Sequence, residues 1–310
     1  MKIKLLSLFL LLSLLCGCAA PAVAEPEAAE AFTFTDDLGR SVSIRSPKRI
    51  ACLLGSFAQI WQLAGGEVAA TADDAWEDLA LELAEDCVNL GNTKSLSLEL
   101  LLAAQPDFIL ASANTRQNLE WKETLESTGI PTAYFDVADF GDYLRLLKLC
   151  TDITGRSDLY ERHGETVQKQ IDAVLEQAAA RGTTPTVLSM RASASMVTVK
   201  NSEDNVLGEM LKSLGCVNIA DSDASLLENL SLERILEADP DFLFFVQRGD
   251  DTEGMRAYVK NMMQENPAWQ QLTAVKEGRV YFMDKRLYNL KPCHRWGEAY
   301  EQLEEILEHG

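Results

Sequence analysis

The hydrophobic positions along this chain change period repeatedly, and each change marks a structural element. Phe32–Ile44 (FTFTDDLGRSVSI) alternates by two on either side of a polar, Gly-containing turn, which predicts a β-hairpin. Short apolar runs at Arg49–Leu54, Glu67–Thr71, Val88–Leu90, Phe108–Ala111 and Thr132–Phe135 read as buried strands. Between several of them apolar residues recur every three or four positions, predicting helices within Gly55–Gly66, at Ser97–Ala104 and at Gln117–Ser127. Strands separated by helices imply a parallel sheet covered on both faces. Residues 140–183 break this rhythm, with helical periodicity almost throughout. One helix ends near Gly155, and a second runs from the N-cap Ser157 to Gly182. At 1.5 Å per residue the second makes a rod of roughly 37 Å, without the Gly, Ser or Pro of a flexible hinge. The alternation then resumes: strands at Pro185–Met190 and Ser195–Lys200, a helix at Asn205–Leu214, and a strand at Phe242–Gln247. A helix near Met255–Gln264, a strand at Arg279–Asp284 and a terminal amphipathic helix, Trp296–Leu307, complete the pattern.

One stretch occurs in both halves. LSLELLLAAQPDFIL, starting at Leu96, returns as LSLERILEADPDFLF, starting at Leu230, with nine of fifteen positions identical. Each copy reads as a Ser-capped helix halted before Pro-Asp and followed by a buried strand. A unit used twice suggests two similar α/β lobes, and the cleft between lobes is where small ligands prefer to sit.

The N-terminus carries an address. Lys2 and Lys4 precede an apolar run, Leu5–Leu15, too short to span a bilayer, so residues 1–17 read as a signal peptide. The run ends in Leu-Cys-Gly-Cys, which resembles a bacterial lipoprotein box with Cys18 as the acylated residue. Residues 18–33, rich in Ala, Pro and Glu, read as a flexible tether. The divisions that follow are an N-terminal lobe at 34–139, linking helices at 140–183 and a C-terminal lobe at 184–310. A net charge of −20 argues against nucleic acid, whose phosphates need basic patches. Five cysteines follow Cys18: Cys52, Cys87, Cys150, Cys216 and Cys293. None has CxxC spacing and an odd number cannot all pair internally, so no disulfide framework is expected, although a bridge between lobes stays open.

Taken in order, the lipobox, tether, hairpin, PKRIA (Pro47–Ala51), twin SLE…PD units, linking rod and VKEGRVYFMD…GEAYEQLEEIL ending resemble the ABC-importer solute-binding lipoproteins for iron complexes and cobalamin. The resemblance covers the whole mature chain. It implies two Rossmann-like lobes with helix-covered, mainly parallel sheets, joined by one long backbone helix around a shallow cleft. It also implies a protein that binds and delivers, with no cofactor and no chemistry of its own. The expected cargo is a metal chelate, foremost a ferric siderophore, with cobalamin or haem as alternatives. The expected partners are an ABC permease with its ATPase, and the membrane only through the lipid anchor. A monomer at the extracytoplasmic cell surface follows from the same resemblance.

Ligands of open α/β sheets sit beyond the carboxyl ends of the strands, which directs attention to particular loops. Ser56, Phe57, Trp76, Lys94, Asn114 and Arg116 fall there in the first half, and Arg191, Arg248, Arg286 and Tyr288 in the second. An aromatic in the polar loop DDAWED has no periodic core to join, so Trp76 could stack on a ligand. The cations, if they converge, would hold an anionic chelate through donors that match carboxylate or catecholate oxygens; singly, each could equally be a solvated charge. Glu99 and Glu233 occupy equivalent first-turn positions, where a carboxylate favourably meets the helix dipole. The family resemblance adds a second role for them, docking onto a permease of twofold symmetry. Three scattered histidines disfavour a bare metal-ion site; His294, Met190 or Tyr288 could serve as an axial haem ligand. The chain lacks GxSxG, HExxH, P-loop and GxGxxG motifs, which argues against a surface hydrolase. A purely structural lipoprotein would not need Trp, Arg, Asn and Ser at its strand ends.

Overall fold

The computed structural model describes residues 30–203 and 205–310. The expected signal peptide, Cys18 and most of the tether lie outside the described residues. Twelve strands are seen among them: β1 (Phe32–Thr35), β2 (Ser41–Ile44), β3 (Ile50–Cys52), β4 (Val68–Thr71), β5 (Val88–Asn89), β6 (Phe108–Ser112), β7 (Thr132–Phe135), β8 (Thr186–Ala192), β9 (Val197–Lys200), β10 (Val217–Asn218), β11 (Phe242–Gln247) and β12 (Val280–Met283). The hairpin β1–β2 is antiparallel. Lobe one is an all-parallel sheet in the order β5-β4-β3-β6-β7. Lobe two has β10-β8-β11-β12, also parallel, with β9 added antiparallel along the distal half of β8.

Side-chain alternation decides which face of each sheet meets what. In lobe one, Ile50, Cys52, Phe108 and Leu110 point to one face and Ala51, Leu53, Ile109 and Ala111 to the other, and the two sets join different core clusters. Lobe two divides likewise, Val187, Phe242 and Phe244 against Leu188, Leu243 and Phe245. The first set of each lobe belongs to a single cluster, which also takes in Val167, Ile171 and Val174 of the linking rod and Trp296, Leu303 and Leu307 of the terminal helix. One continuous core therefore runs through both lobes, and a core packed to crystal-like density resists shear. The joint is stiff because it is filled.

The rod runs from Ser157 to Ala180 with a π-helical stretch, Glu161–Glu165, in its path. Gly164 sits in that stretch where a Cβ would lie 3.0 Å from Leu144, so glycine permits the rod to approach the preceding helix, Phe140–Thr154. At its far end Arg181 reaches Glu304 of the terminal helix Trp296–His309 at 2.5 Å and the Leu214 carbonyl at 2.9 Å.

The repeated unit has a common structural explanation. Ser97 and Ser231 cap their helices by accepting the Leu100 and Arg234 N–H groups. Asp107 accepts the N–H groups of Lys48 and Arg49, which open β3, and Asp241 accepts the N–H and hydroxyl of Thr186, which opens β8. In each lobe the Asp of Pro-Asp thus sets the register of the neighbouring central strand, Ile50 opposite Phe108 and Val187 opposite Phe242. The five cysteines beyond Cys18 are all free, and the lobe-to-lobe disulfide left open above does not form. Cys293 instead packs across the junction, its Sγ 3.8 Å from the Ser56 carbonyl. Trp296 lies edge-on to Phe140 of the linking segment, so the stretch Cys293–Trp296 touches lobe one and the linking helices, which a single boundary at residue 184 does not express.

Candidate functional site

Parallel strands end at the same side of a sheet, so each lobe gathers its strand-end loops on one edge. In lobe one these are Gly55-Ser56 after β3, the Asp74–Glu77 turn after β4, Asn92–Lys94 after β5, Ser112–Asn114 after β6 and Asp136 after β7. In lobe two they are Arg191 near the end of β8, Arg248 after β11 and Asp284-Lys285 after β12. The edges meet across a cavity of about 440 Å³ lined by Glu77 and Asp78 from lobe one and by Gln247, Asp250, Lys285 and Arg286, among others, from lobe two. Lys285 crosses the gap to Asp78 at 2.5 Å and also pairs with Asp250. Burial alone would lower the lysine's pKa, but the Asp250 and Asp78 carboxylates outweigh it and hold the ammonium above its ordinary value.

A second electrostatic feature adjoins this cavity, reached through Arg248, which directly follows the cavity-lining Gln247. Arg191 on β8, Lys200 on β9 and Arg248 at the end of β11 form a cluster of three cations. β8 and β9 are antiparallel with Arg191 opposite Thr198 and Ser189 opposite Lys200, which puts Arg191 and Lys200 on one face as diagonal neighbours. The Arg248 N–H donates to the Ala192 carbonyl at 2.7 Å, fixing the third cation at the strand end. Burial first, and then repulsion from Arg248, lowers the Arg191 pKa; burial, Arg191 and Arg248 do the same to Lys200. Among the described residues neither Arg191 nor Lys200 has an ion pair, and the Arg248 guanidinium contacts only the Met196 sulfur at 3.9 Å. A chain of net charge −20 has carboxylates to spare, yet among the described residues none forms an ion pair with this group. A bound anion would relieve the mutual repulsion and be held by charge-assisted hydrogen bonds.

The expected site residues divide under this geometry. Arg191 and Arg248 converge, and Lys200 completes the cluster. Sequence reasoning missed Lys200 because it ends an apolar strand, and only its register beside Arg191 reveals its role. Trp76 is half-exposed on the turn after β4 and belongs to no core cluster, which leaves its ring free to stack. Arg286 lines the inter-lobe cavity. Ser56 is buried at the start of the Gly55–Leu63 helix and Asn114 is spent on Ser112 and Asp136, tying two loop ends together. Lys94 and Arg116 gather at a separate groove lined wholly by lobe one, where Arg116 pairs with Glu120 at 2.7 Å. Phe57 and Tyr288 do not wall the cleft. Phe57 is fully buried in the core, and Tyr288 is 2% exposed with its hydroxyl donated to the Ala299 carbonyl; both helix starts turn these side chains inward. Met190 is likewise buried, and His294 lies against His163 of the rod with ring centroids 6.0 Å apart, so neither joins the strand-end loops as an axial ligand. Lys291, also missed, leaves lobe two to place its Nζ 5.9 Å from the centre of the Phe57 ring, and burial lowers its pKa.

Two further carboxylates bear on the site. Asp74 accepts the Gly55 N–H at 2.8 Å, yet burial raises its pKa to about 6. Glu99 and Glu233 are exposed in the first turns of Leu98–Ala103 and Leu232–Ala238, with no ion pair among the described residues. A helix that returns to the start of the next parallel strand begins at the strand-end edge, so each glutamate stands on the cleft side of its own lobe. Among the described residues no group of three or more His, Cys, Asp or Glu could hold a metal ion, and no helix is long and apolar enough to cross a membrane.

Two parallel-sheet lobes fused through one core, with strand ends facing across a cavity and a basic cluster on the second lobe, have the architecture of a solute-binding protein. Comparison with known proteins agrees. Residues 50–287 match the model of the periplasmic binding protein family, and the chain belongs to that family. The Fe(3+)-citrate-binding protein YfmC of Bacillus subtilis (strain 168) is 26% identical over 300 residues, covering 91% of this chain and 90% of that one. Staphylococcus aureus SirA, solved with staphyloferrin B, shares the fold at a TM-score of 0.67 and 19% identity, over 89% of this chain and 98% of that one. The vitamin B12-binding protein BtuF of Vibrio cholerae does so at 0.67 and 18%, over 85% and 97%.

Proposed function

We propose that the protein captures an anionic ferric chelate, of the citrate or carboxylate-siderophore kind, between its lobes and delivers it to an ABC permease. The observation that carries this reading is the Arg191–Lys200–Arg248 cluster, without an ion pair among the described residues, beside the inter-lobe cavity. Citrate-type chelates present several carboxylate oxygens around the metal, which suits guanidinium donors, and the name of the 26%-identical relative points the same way. In this reading Trp76 packs on the chelate from lobe one, Arg286 adds a peripheral charge, and the iron arrives as cargo already coordinated. Acylated Cys18 anchors the chain to the outer face of the membrane through the tether. Glu99 and Glu233, one per lobe and without an ion pair among the described residues, meet basic residues of the permease pair.

Tryptophan fluorescence titrations with ferric citrate, a ferric carboxylate siderophore, cobalamin and haemin test the cargo. Saturable quenching by the ferric carboxylates is expected, with binding weakened at least tenfold in Arg191→Ala and progressively by added salt. Saturation by cobalamin or haemin alone, with no response to either ferric chelate, would overturn the reading. For docking, Glu99→Lys with Glu233→Lys should abolish uptake in cells while leaving the titration unchanged; lost binding in the purified variant removes the assignment.

A further inference from the structure

Lys285 opens the Lys285–Tyr288 turn directly after β12, and its ammonium meets carboxylates of both lobes. The partner across the gap, Asp78, closes the Asp74–Glu77 turn that carries Trp76. The partner within the lobe, Asp250, follows Arg248 by two residues, and the Gly249 carbonyl is within 3.5 Å of the same ammonium. One side chain therefore touches both halves of the site, the aromatic turn of lobe one and the basic loop of lobe two. The two contacts differ in weight. The Lys285 and Asp78 side chains are 15% and 21% exposed, so that pair is shielded from solvent, whereas Asp250 is 79% exposed and its pair is of the weak surface kind.

The Trp76 turn is held chiefly at its beginning and middle, where Ala75 is buried against the start of the Gly55–Leu63 helix and its carbonyl accepts the Leu81 N–H at 2.8 Å. The turn is four residues long, followed by Ala80 in a left-handed conformation at φ 50°. Its links to the sheet are the Gly55 N–H to Asp74 and the Asp73 N–H to the Gly91 carbonyl at 3.0 Å, both at its beginning. At its end, the contact with the opposite lobe is the Lys285–Asp78 pair.

We propose that Lys285 is a positioning residue for cargo binding: it ties the Trp76 turn to the Arg248 loop and so sets the separation of aromatic wall and basic seat before cargo arrives. This rests on the reading of the gap as the cargo site. Holding a loop in its bound geometry raises affinity by removing the entropy lost on ordering it. The effect should fall on dissociation more than on association, because encounter is governed by the charge cluster.

The test uses the full mature chain. In ligand-free Lys285→Met, backbone amides of residues 74–80 should exchange hydrogen about tenfold faster, with the rest of the molecule unchanged. Ferric citrate should then dissociate roughly tenfold faster, while Lys285→Arg restores both readouts. Asp78→Asn should reproduce the loss and Asp250→Asn should not, which separates a tie between lobes from one within lobe two. Unchanged exchange in Lys285→Met, faster exchange with unaltered dissociation, or an Asp250→Asn as damaging as Asp78→Asn would each overturn the proposal. Should the wild-type chain bind no ferric chelate, the cargo reading falls on that result, whereas the exchange measurement, made without cargo, decides the tie by itself.

Discussion

Replacing Arg181 with Met should be among the most damaging single changes outside the site. The side chains of Arg181 and Glu304 are 8% and 6% exposed and meet at 2.5 Å, and a second Arg181 nitrogen donates to the Leu214 carbonyl at 2.9 Å. The guanidinium thereby joins three helices: the ends of the rod and of the Val206–Ser213 helix, and the middle of the terminal helix. Methionine fills most of the volume but leaves the Glu304 carboxylate and the Leu214 carbonyl buried without a donor. Breaking a buried pair from one side costs about 3–5 kcal/mol, because the remaining charge is stranded in a medium that solvates it poorly. For a chain of this size that corresponds to a fall in Tm on the order of 10 °C. Urea unfolding followed by circular dichroism at neutral pH measures it. Arg181→Met with Glu304→Leu should recover most of the loss, since a packed apolar pair is often as stable as the ion pair it replaces. A single-variant loss below about 1 kcal/mol, the range of exposed pairs, would refute the claim that this contact locks the rod to lobe two.

Other outcomes follow from the same geometry. A Cβ on Gly55 would lie 2.5 Å from the Ala75 nitrogen and 2.7 Å from its Cα, so Gly55→Ala should cost about 1–3 kcal/mol and weaken cargo binding by displacing the Trp76 turn; a variant of wild-type stability and affinity would contradict that close approach. The Asp74 carboxyl, ordinarily near 3.8, is raised to about 6 in the fold. The unfolded chain therefore releases this proton at lower pH than the folded one, and stability falls as pH rises from about 4 to about 6. Asp74→Asn should remove that decline and exceed wild type above the window by up to about 3 kcal/mol; parallel pH–stability profiles for the two proteins would count against the burial of Asp74.

Much of the architecture was legible because period and punctuation are local. The hairpin, the strands of the first sheet, the longer strands of the second, the rod and the terminal helix fall where alternation, N-caps and Pro-Asp stops put them; the two-residue β10, Val217–Asn218, was not read from the sequence. Gln117–Ser127 was less legible, reading as one helix where the fold has two, Arg116–Glu120 and Lys122–Thr128, with a change of direction at Trp121. The candidate site was harder. Arg191, Arg248 and Trp76 could be selected as strand-end residues, but so could Phe57 and Tyr288, which the first turns of their helices rotate into the core. Lys94 and Arg116 satisfied the same rule and gather on the flank of lobe one, because the rule says which edge a residue occupies but not how far along it.

What this sequence determined alone was the set of elements and the existence of two lobes, since hydrophobic period and capping chemistry act between residues a few positions apart. The tertiary structure alone decided which charges meet. Arg191, Lys200 and Arg248 become one cluster through the register of β8 against β9 and β11, and Lys285 finds Asp78 only because a shared core fixes the two lobes edge to edge. Electrostatic coupling depends on distance through space, which the chain order of those residues does not contain.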